Sequence, residues 1–344
     1  MLKRTAIALL LSLALGLAGL YLVVGEEVFN LETYRVRNPS IPVLVLILIA
    51  FVVKWASPAV RIWVLCRRQR LPITLRSAVL VYLAAMSVAA LTPNNTAVAP
   101  ATAAGLNRLG VPLGRGIGVV VQAFVLDLIY FAWTVPLSLG YLVYSDTLRL
   151  PPGARAVAFV MAVLAIVGAV FLTRYPRPVV RLILLAAKRP LLERLAPRLR
   201  SVARDYYKSA RAFGRMTLGS WLQLNLVVAA GWFSGYALFW LLLKLYGVEA
   251  DLLATLAILN SVTLVSHIVP TPGGSGFVEA AVGLSLGAGG GAAAALLLWR
   301  LANFYVIFLI GPPAAWFLYL SRAGGAREDS AHDAPLSSGG REPL

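Results

Sequence analysis

Val269-Pro270-Thr271-Pro272-Gly273-Gly274-Ser275-Gly276-Phe277-Val278-Glu279-Ala280-Ala281 sits inside an otherwise apolar stretch that runs from 252 to 289. Proline removes an amide donor and blocks a helix, and glycine loosens the backbone, so no continuous helix passes through this run. Facing lipid, such a break would strand polar backbone groups with nothing to bond. The segment is therefore predicted to turn inside a protein-walled or watery cavity. A second apolar stretch, 78 to 106, is interrupted by Thr92-Pro93-Asn94-Asn95. Two broken segments imply one shared cavity.

The rest of the chain explains why lipid is the relevant solvent. Of 344 residues, 60% are apolar and 13% charged, whereas soluble chains are about a quarter charged. Besides the two broken stretches, apolar runs extend over 5–24, 41–64, 117–145, 154–173, 217–246 and 292–320, each long enough to cross roughly 30 Å of hydrocarbon as a helix. The first follows Lys3 and Arg4, but it outruns a typical signal-peptide core and no clear cleavage site follows, so it reads as an uncleaved anchor. With 31 Lys and Arg against 14 Asp and Glu, the net charge of +17 calls for a polyanion. Anionic phospholipid fits an integral membrane protein, and nucleic acid is not expected. One cysteine, Cys66, and two histidines, His267 and His332, exclude a disulfide framework and leave too few ligands for a metal cage. No cofactor, metal or enzymatic activity is expected.

Charge asymmetry orients the spans, because short loops rich in Lys and Arg stay cytoplasmic. Lys3 and Arg4, then Arg67, Arg68, Arg70 and Arg76, then the basic loop 174–215 and finally Arg322 and Arg327 all fall inside. Three apolar stretches separate the second and third of these groups, so one must enter and leave on the same face. The broken 78–106 stretch is the natural choice. The 252–289 stretch then dips in from outside. The fold expected is all-α: about six full transmembrane helices plus two opposed re-entrant helical hairpins, in an inner cell membrane with both termini cytoplasmic. Span, hairpin, span occurs twice with opposite orientation, over 41–145 and 217–320, within one membrane domain of residues 1–321. Paired interrupted helices in an inverted repeat are how secondary transporters build a midplane site. Residues 322–344 lack apolar periodicity and read as a disordered cytoplasmic tail.

Charges at membrane depth are functional candidates by default. Glu279 follows the glycine-rich turn, where Gly273, Gly274 and Gly276 would let amides approach an anion; its plain alternative is a carboxylate snorkelling to the outer interface. Arg300 lies too deep in its stretch to be a flanking charge and would pair with Glu279 or a phosphate, with Asn303 nearly one turn beyond. Asp127 and Lys54 give the first repeat one buried charge of each sign, either a structural pair or a functional one. Pro93, Asn94, Asn95, Pro270 and Pro272 form the re-entrant turns, and His267, Asn94, Asn95 and Asn260 read as hydrogen-bonding residues of the broken helices. Arg200, Arg204, Lys208, Arg211 and Arg215 form a helical stripe opposite Val202, Tyr206, Ala210 and Phe213, as in an amphipathic helix lying on an anionic leaflet.

Pro270-x-Pro272-Gly273-Gly274-x-Gly276-x-x-Glu279, followed by Arg300 and Gly311, resembles the lysylphosphatidylglycerol synthase flippase-like transmembrane family over most of residues 1 to 320. In the first repeat the family pattern P-x-x-x-G-E-x-x-R appears only as Pro93-Asn94-Asn95-Thr96-Ala97-Val98, and of the element E-R-x-x-D only Asp127 carries over. The resemblance implies a translocator of an anionic or aminoacylated phospholipid or a lipid-linked precursor, its headgroup contacted by Glu279, Arg300, Asp127, Lys54, Asn303 and the three glycines. It also implies a membrane domain standing without the aminoacyltransferase domain of bifunctional relatives. The rival expectation is a non-transporting scaffold whose basic loop recruits a lipid- or glycan-modifying enzyme.

Overall fold

The computed structural model describes residues 14, 18, 21, 25, 31–37, 39–92, 95–145, 167, 168, 175, 177–188, 195–267, 269, 271–286 and 290–321. The spans expected at 5–24 and 154–173 lie outside these residues except at isolated positions, as do Pro93, Asn94, Pro270 and the whole tail 322–344.

The chain is an all-α membrane protein, with no strand among the described residues. Among the described residues its α-helices are α1 (Ile41–Arg68), α2 (Leu75–Ala89), α3 (Val98–Arg108), α4 (Leu113–Tyr144), α5 (Arg177–Ala186), α6 (Ala196–Gly214), α7 (Leu218–Leu245), α8 (Leu252–Ser266), α9 (Phe277–Leu286), α10 (Gly290–Arg300) and α11 (Ile307–Ala315). Among the described residues, four apolar helical segments are long enough to cross a bilayer: α1 and α7 with 28 residues each, α4 with 32, and the segment Gly290–Tyr319 with 30. That last segment joins α10 to α11 through a π turn, Leu301–Tyr305.

The two interrupted stretches form hairpins. Helices α2 and α8 have 15 residues each, so each is about 22 Å long and short of the ~30 Å hydrocarbon core. Each then turns, and α3 and α9 fold back against α2 and α8. Threonine and aspartate side chains start the first arms: Thr74 accepts from the Ser77 amide and Asp251 from the Ala254 amide, satisfying donors that the first helical turn leaves free.

Packing obeys an internal two-fold pattern. Helices α1 and α7 make the most extensive contact among the described helices. The second span of each repeat then packs on the hairpin of the other, α4 on α8 and α11 on α2. The α1–α7 seam closes on Gly231-Trp232-Phe233-Ser234-Gly235: a Cβ at Gly231 would sit 2.5 Å from Ser57 Oγ, and one at Gly235 would sit 3.4 Å from Lys54 Cγ. Small residues four apart are what let two membrane helices approach closely.

Helix α6 differs from expectation in its partner. Ala203, Tyr206, Ser209, Ala210 and Phe213 are buried, and they are buried against α4 rather than offered to a leaflet. Gly114 and Gly118 of α4 make room, since a Cβ at either would lie 2.3 Å from Val202 O or 2.2 Å from Ser209 Oγ. Gln122 ties the contact by donating to Ser209 O and Oγ, both at 3.0 Å, and accepting from Gln69 Nε2 at 2.9 Å. Arg200, Arg204, Lys208, Arg211 and Arg215 remain exposed on the opposite face.

Candidate functional site

The tip of the second hairpin is built around three glycines with positive φ: Gly273 (59°), Gly274 (68°) and Gly276 (88°). Side chains with a Cβ rarely adopt such angles. Gly273 also has no room for one, because the Phe304 ring approaches to 2.4 Å of where it would lie. Gly276 precedes the first residue of α9, which makes Glu279 the third helical residue. Its Oε2 accepts the Gly276 amide at 2.8 Å, half of a capping box.

Arg300 closes on this tip from the end of α10. Its Nε donates to Glu279 Oε1 at 2.6 Å, Nη1 to Gly273 O at 3.1 Å and Nη2 to Ser275 Oγ at 2.8 Å. Glu279 and Arg300 are 3% and 5% exposed. The Glu279–Arg300 pairing expected from the sequence is present and the snorkelling alternative is not. The Gly274 amide donates to Thr271 O and the Gly276 amide to Glu279, so Arg300 and both amides are directed inward to hold the turn.

Immediately beyond Arg300 the π turn redirects the backbone: the Val306 amide reaches back five residues to Leu301 O at 2.9 Å. Insertions of this kind gather at functional positions. They also reposition carbonyls, which must find donors in a dry environment. Helix α1 supplies them, with Trp55 Nε1 donating to Ala302 O at 2.9 Å and Lys54 Nζ to Asn303 O at 2.6 Å. The ammonium also lies 4.0 Å from the centroid of the Trp55 ring, a favourable cation–π position. Asn303 Oδ1 is buried and accepts no hydrogen bond.

Asp127 does not pair with Lys54. Its Oδ1 takes Arg61 Nη1 at 2.6 Å and Trp232 Nε1 at 3.1 Å. Arg61 also donates to Ala123 O at 3.3 Å. Lys54 and Arg61 lie seven residues apart on α1, about 10 Å along its axis. The two halves of the chain are therefore stitched together at two levels, one through Trp55, Lys54 and the π turn, the other through Trp232, Asp127 and Arg61. Trp55, Arg61, Trp232 and Ser275 are the residues that reading the sequence missed. Arg61 was hidden because the apolar run ends near residue 64, whereas the helix continues to Arg68.

Of the remaining candidates, Asn260 ties α8 to α4 and α7. Asn260 Nδ2 donates to Ser138 Oγ at 3.0 Å, and its Oδ1 accepts from Tyr236 at 3.4 Å. His267 Nδ1 contacts Thr263 O at 2.7 Å. Asn95 has φ +52° and a buried Oδ1 without a partner. At the start of the second hairpin, the Ala254 amide and then the Tyr141 hydroxyl hold the Asp251 carboxyl below the ordinary carboxylate range.

No group of three His, Cys, Asp or Glu side chains among the described residues could hold a metal ion. What the arrangement can do is present partly buried cations and a displaced backbone to a ligand inside the membrane. Residues 6–311 match the family described as the lysylphosphatidylglycerol synthase TM region. The chain belongs to this family. It is thus a multi-pass membrane protein related to lipid modification or translocation. No curated protein matches the chain.

Proposed function

We propose that this member of the lysylphosphatidylglycerol synthase TM family is a lipid translocator of the inner cell membrane, with cytoplasmic termini. Its cargo is an anionic or aminoacylated phospholipid, or a lipid-linked precursor, whose headgroup crosses along the seam between the repeats. One observation carries the reading: among the described residues at membrane depth, Lys54, Arg61 and Arg300 face only two carboxylates, Asp127 and Glu279. Unbalanced charge in a low-dielectric interior is costly. An anionic headgroup supplies the missing charge. The hairpins support the same reading, because non-helical backbone at membrane depth is tolerated where it lines a cavity.

The test is reconstitution into vesicles carrying a trace of fluorescent phosphatidylglycerol, with a membrane-impermeant quencher added outside. Protein-containing vesicles should lose protected fluorescence faster than protein-free ones. Equal rates would overturn the proposal. The exposed basic stripe of α6 favours one rival, a scaffold that recruits a cytoplasmic partner. That reading predicts a function that survives Arg300→Ala and is lost when the stripe is neutralised.

A further inference from the structure

Arg61 is matched by Asp127, and Arg300 by Glu279, Gly273 O and Ser275. Lys54 is the cation left over. Among the described residues, its ammonium contacts the Asn303 carbonyl at 2.6 Å and the Trp55 ring at 4.0 Å, neither of which carries a negative charge. A lysine ammonium has three N–H donors, and one is used here. Both Lys54 and Asn303 are partly exposed, unlike Glu279 and Arg300. Across from them α7 presents Gly235, where a Cβ would stand 3.4 Å from Lys54 Cγ and 3.7 Å from Asn303 Oδ1. No α7 side chain stands over the pair at that position. The Asn303 oxygen has no donor, and its terminal torsion is soft enough to turn it toward a ligand held at the Lys54 ammonium.

We infer that Lys54 and Asn303 form the headgroup subsite, Lys54 binding the charged oxygen of a phosphodiester and Asn303 Oδ1 accepting an O–H or N–H from the substituent that the phosphodiester carries. This rests on the translocator reading, and it moves phosphate binding from Arg300, whose donors are engaged by the hairpin, to Lys54. The ammonium that would bind phosphate also donates to the Asn303 carbonyl, three residues from Arg300, so the subsite is joined through the π turn to the hairpin behind it.

The experiment is lipid retention by the full chain in mild detergent, read by native mass spectrometry, with thermal unfolding followed on the same samples. Three lipids separate the two interactions: phosphatidylglycerol has a net negative charge and a hydroxyl donor, phosphatidylmethanol has the net charge alone, and phosphatidylcholine has a phosphate neutralised by its own quaternary ammonium and no donor. Wild type should retain them in that order, with phosphatidylglycerol favoured about tenfold over phosphatidylcholine, since one good charged contact is worth a factor of this size. Lys54→Gln should abolish the preference for charge, Lys54→Arg should keep it, and Asn303→Leu should erase only the difference between phosphatidylglycerol and phosphatidylmethanol. A Lys54→Gln protein that selects as wild type does overturns the inference, and so does a wild type without preference. Glycerophosphoglycerol, the same headgroup without acyl chains, should not compete at equal concentration; if it does, the ligand is a soluble phosphodiester and the lipid assignment falls. The vesicle assay distinguishes the two proposals. Charge-selective retention without lipid movement sinks the translocator alone, while movement with unchanged selectivity in Lys54→Gln sinks the subsite alone.

Discussion

A carboxylate and a guanidinium buried together are awkward to interpret, because removing one partner leaves the other charged in a dry site. For Glu279 and Arg300, Glu279→Gln should destabilise the protein by about 3–5 kcal/mol, whereas the double change with Arg300→Met should recover most of that loss. Thermal unfolding in detergent checks the recovery. If the latch serves transport, the recovered double variant should still move lipid more slowly than wild type in vesicles; equal rates would make the pair purely structural. At this scale the sequence was half legible. Glu279 and Arg300 stood out because ionisable residues are rare in apolar runs, and the rule that a buried charge seeks its opposite paired them correctly. The same rule suggested Lys54 with Asp127, and there it failed. Arg61 lies on the same helix two turns from Lys54, and which of two cations meets a carboxylate depends on the rotation of α1 against α4, which composition does not encode.

Helices and hairpins were legible wherever backbone chemistry forces the outcome. The Thr92-Pro93 and Pro270–Gly274 clusters cannot continue a helix, and both stretches fold back into short arms. For α6 the pattern gave the face and withheld the partner. A stripe of Tyr206, Ala210 and Phe213 suits a lipid surface as well as another helix, and the deciding signal lay ninety residues upstream in the glycines of α4. Gly118→Val should therefore part α6 from α4 at a cost of about 1–3 kcal/mol, as overpacking of a tight contact generally does. Faster proteolysis within 195–215 would register it. If α6 instead lay on lipid, the substitution would leave cleavage unchanged. The π turn after Arg300 left no trace in the sequence, since no proline or glycine marks it.

At the level of the whole chain, reciprocal packing of each second span on the opposite hairpin argues for two halves related by inversion through the membrane. Accessibility decides it. In a Cys66→Ser background, single cysteines replacing the exposed residues Arg108 and Glu249 should react with an impermeant reagent from opposite faces, Arg108 from the cytoplasmic side. Reaction of both from one face would remove the inversion. Gly114 is unsuitable for such labelling, since any side chain there strikes Val202 O. The halves are alike in layout but not in fastening. The second hairpin is bolted to its span by Glu279 and Arg300, while among the described residues the first hairpin carries no ion pair within or against it. A symmetric rocker meets equal resistance in both directions. One with a bolt on a single side has a preferred resting pose, so any traffic through it starts from unequal barriers at the two faces of the membrane.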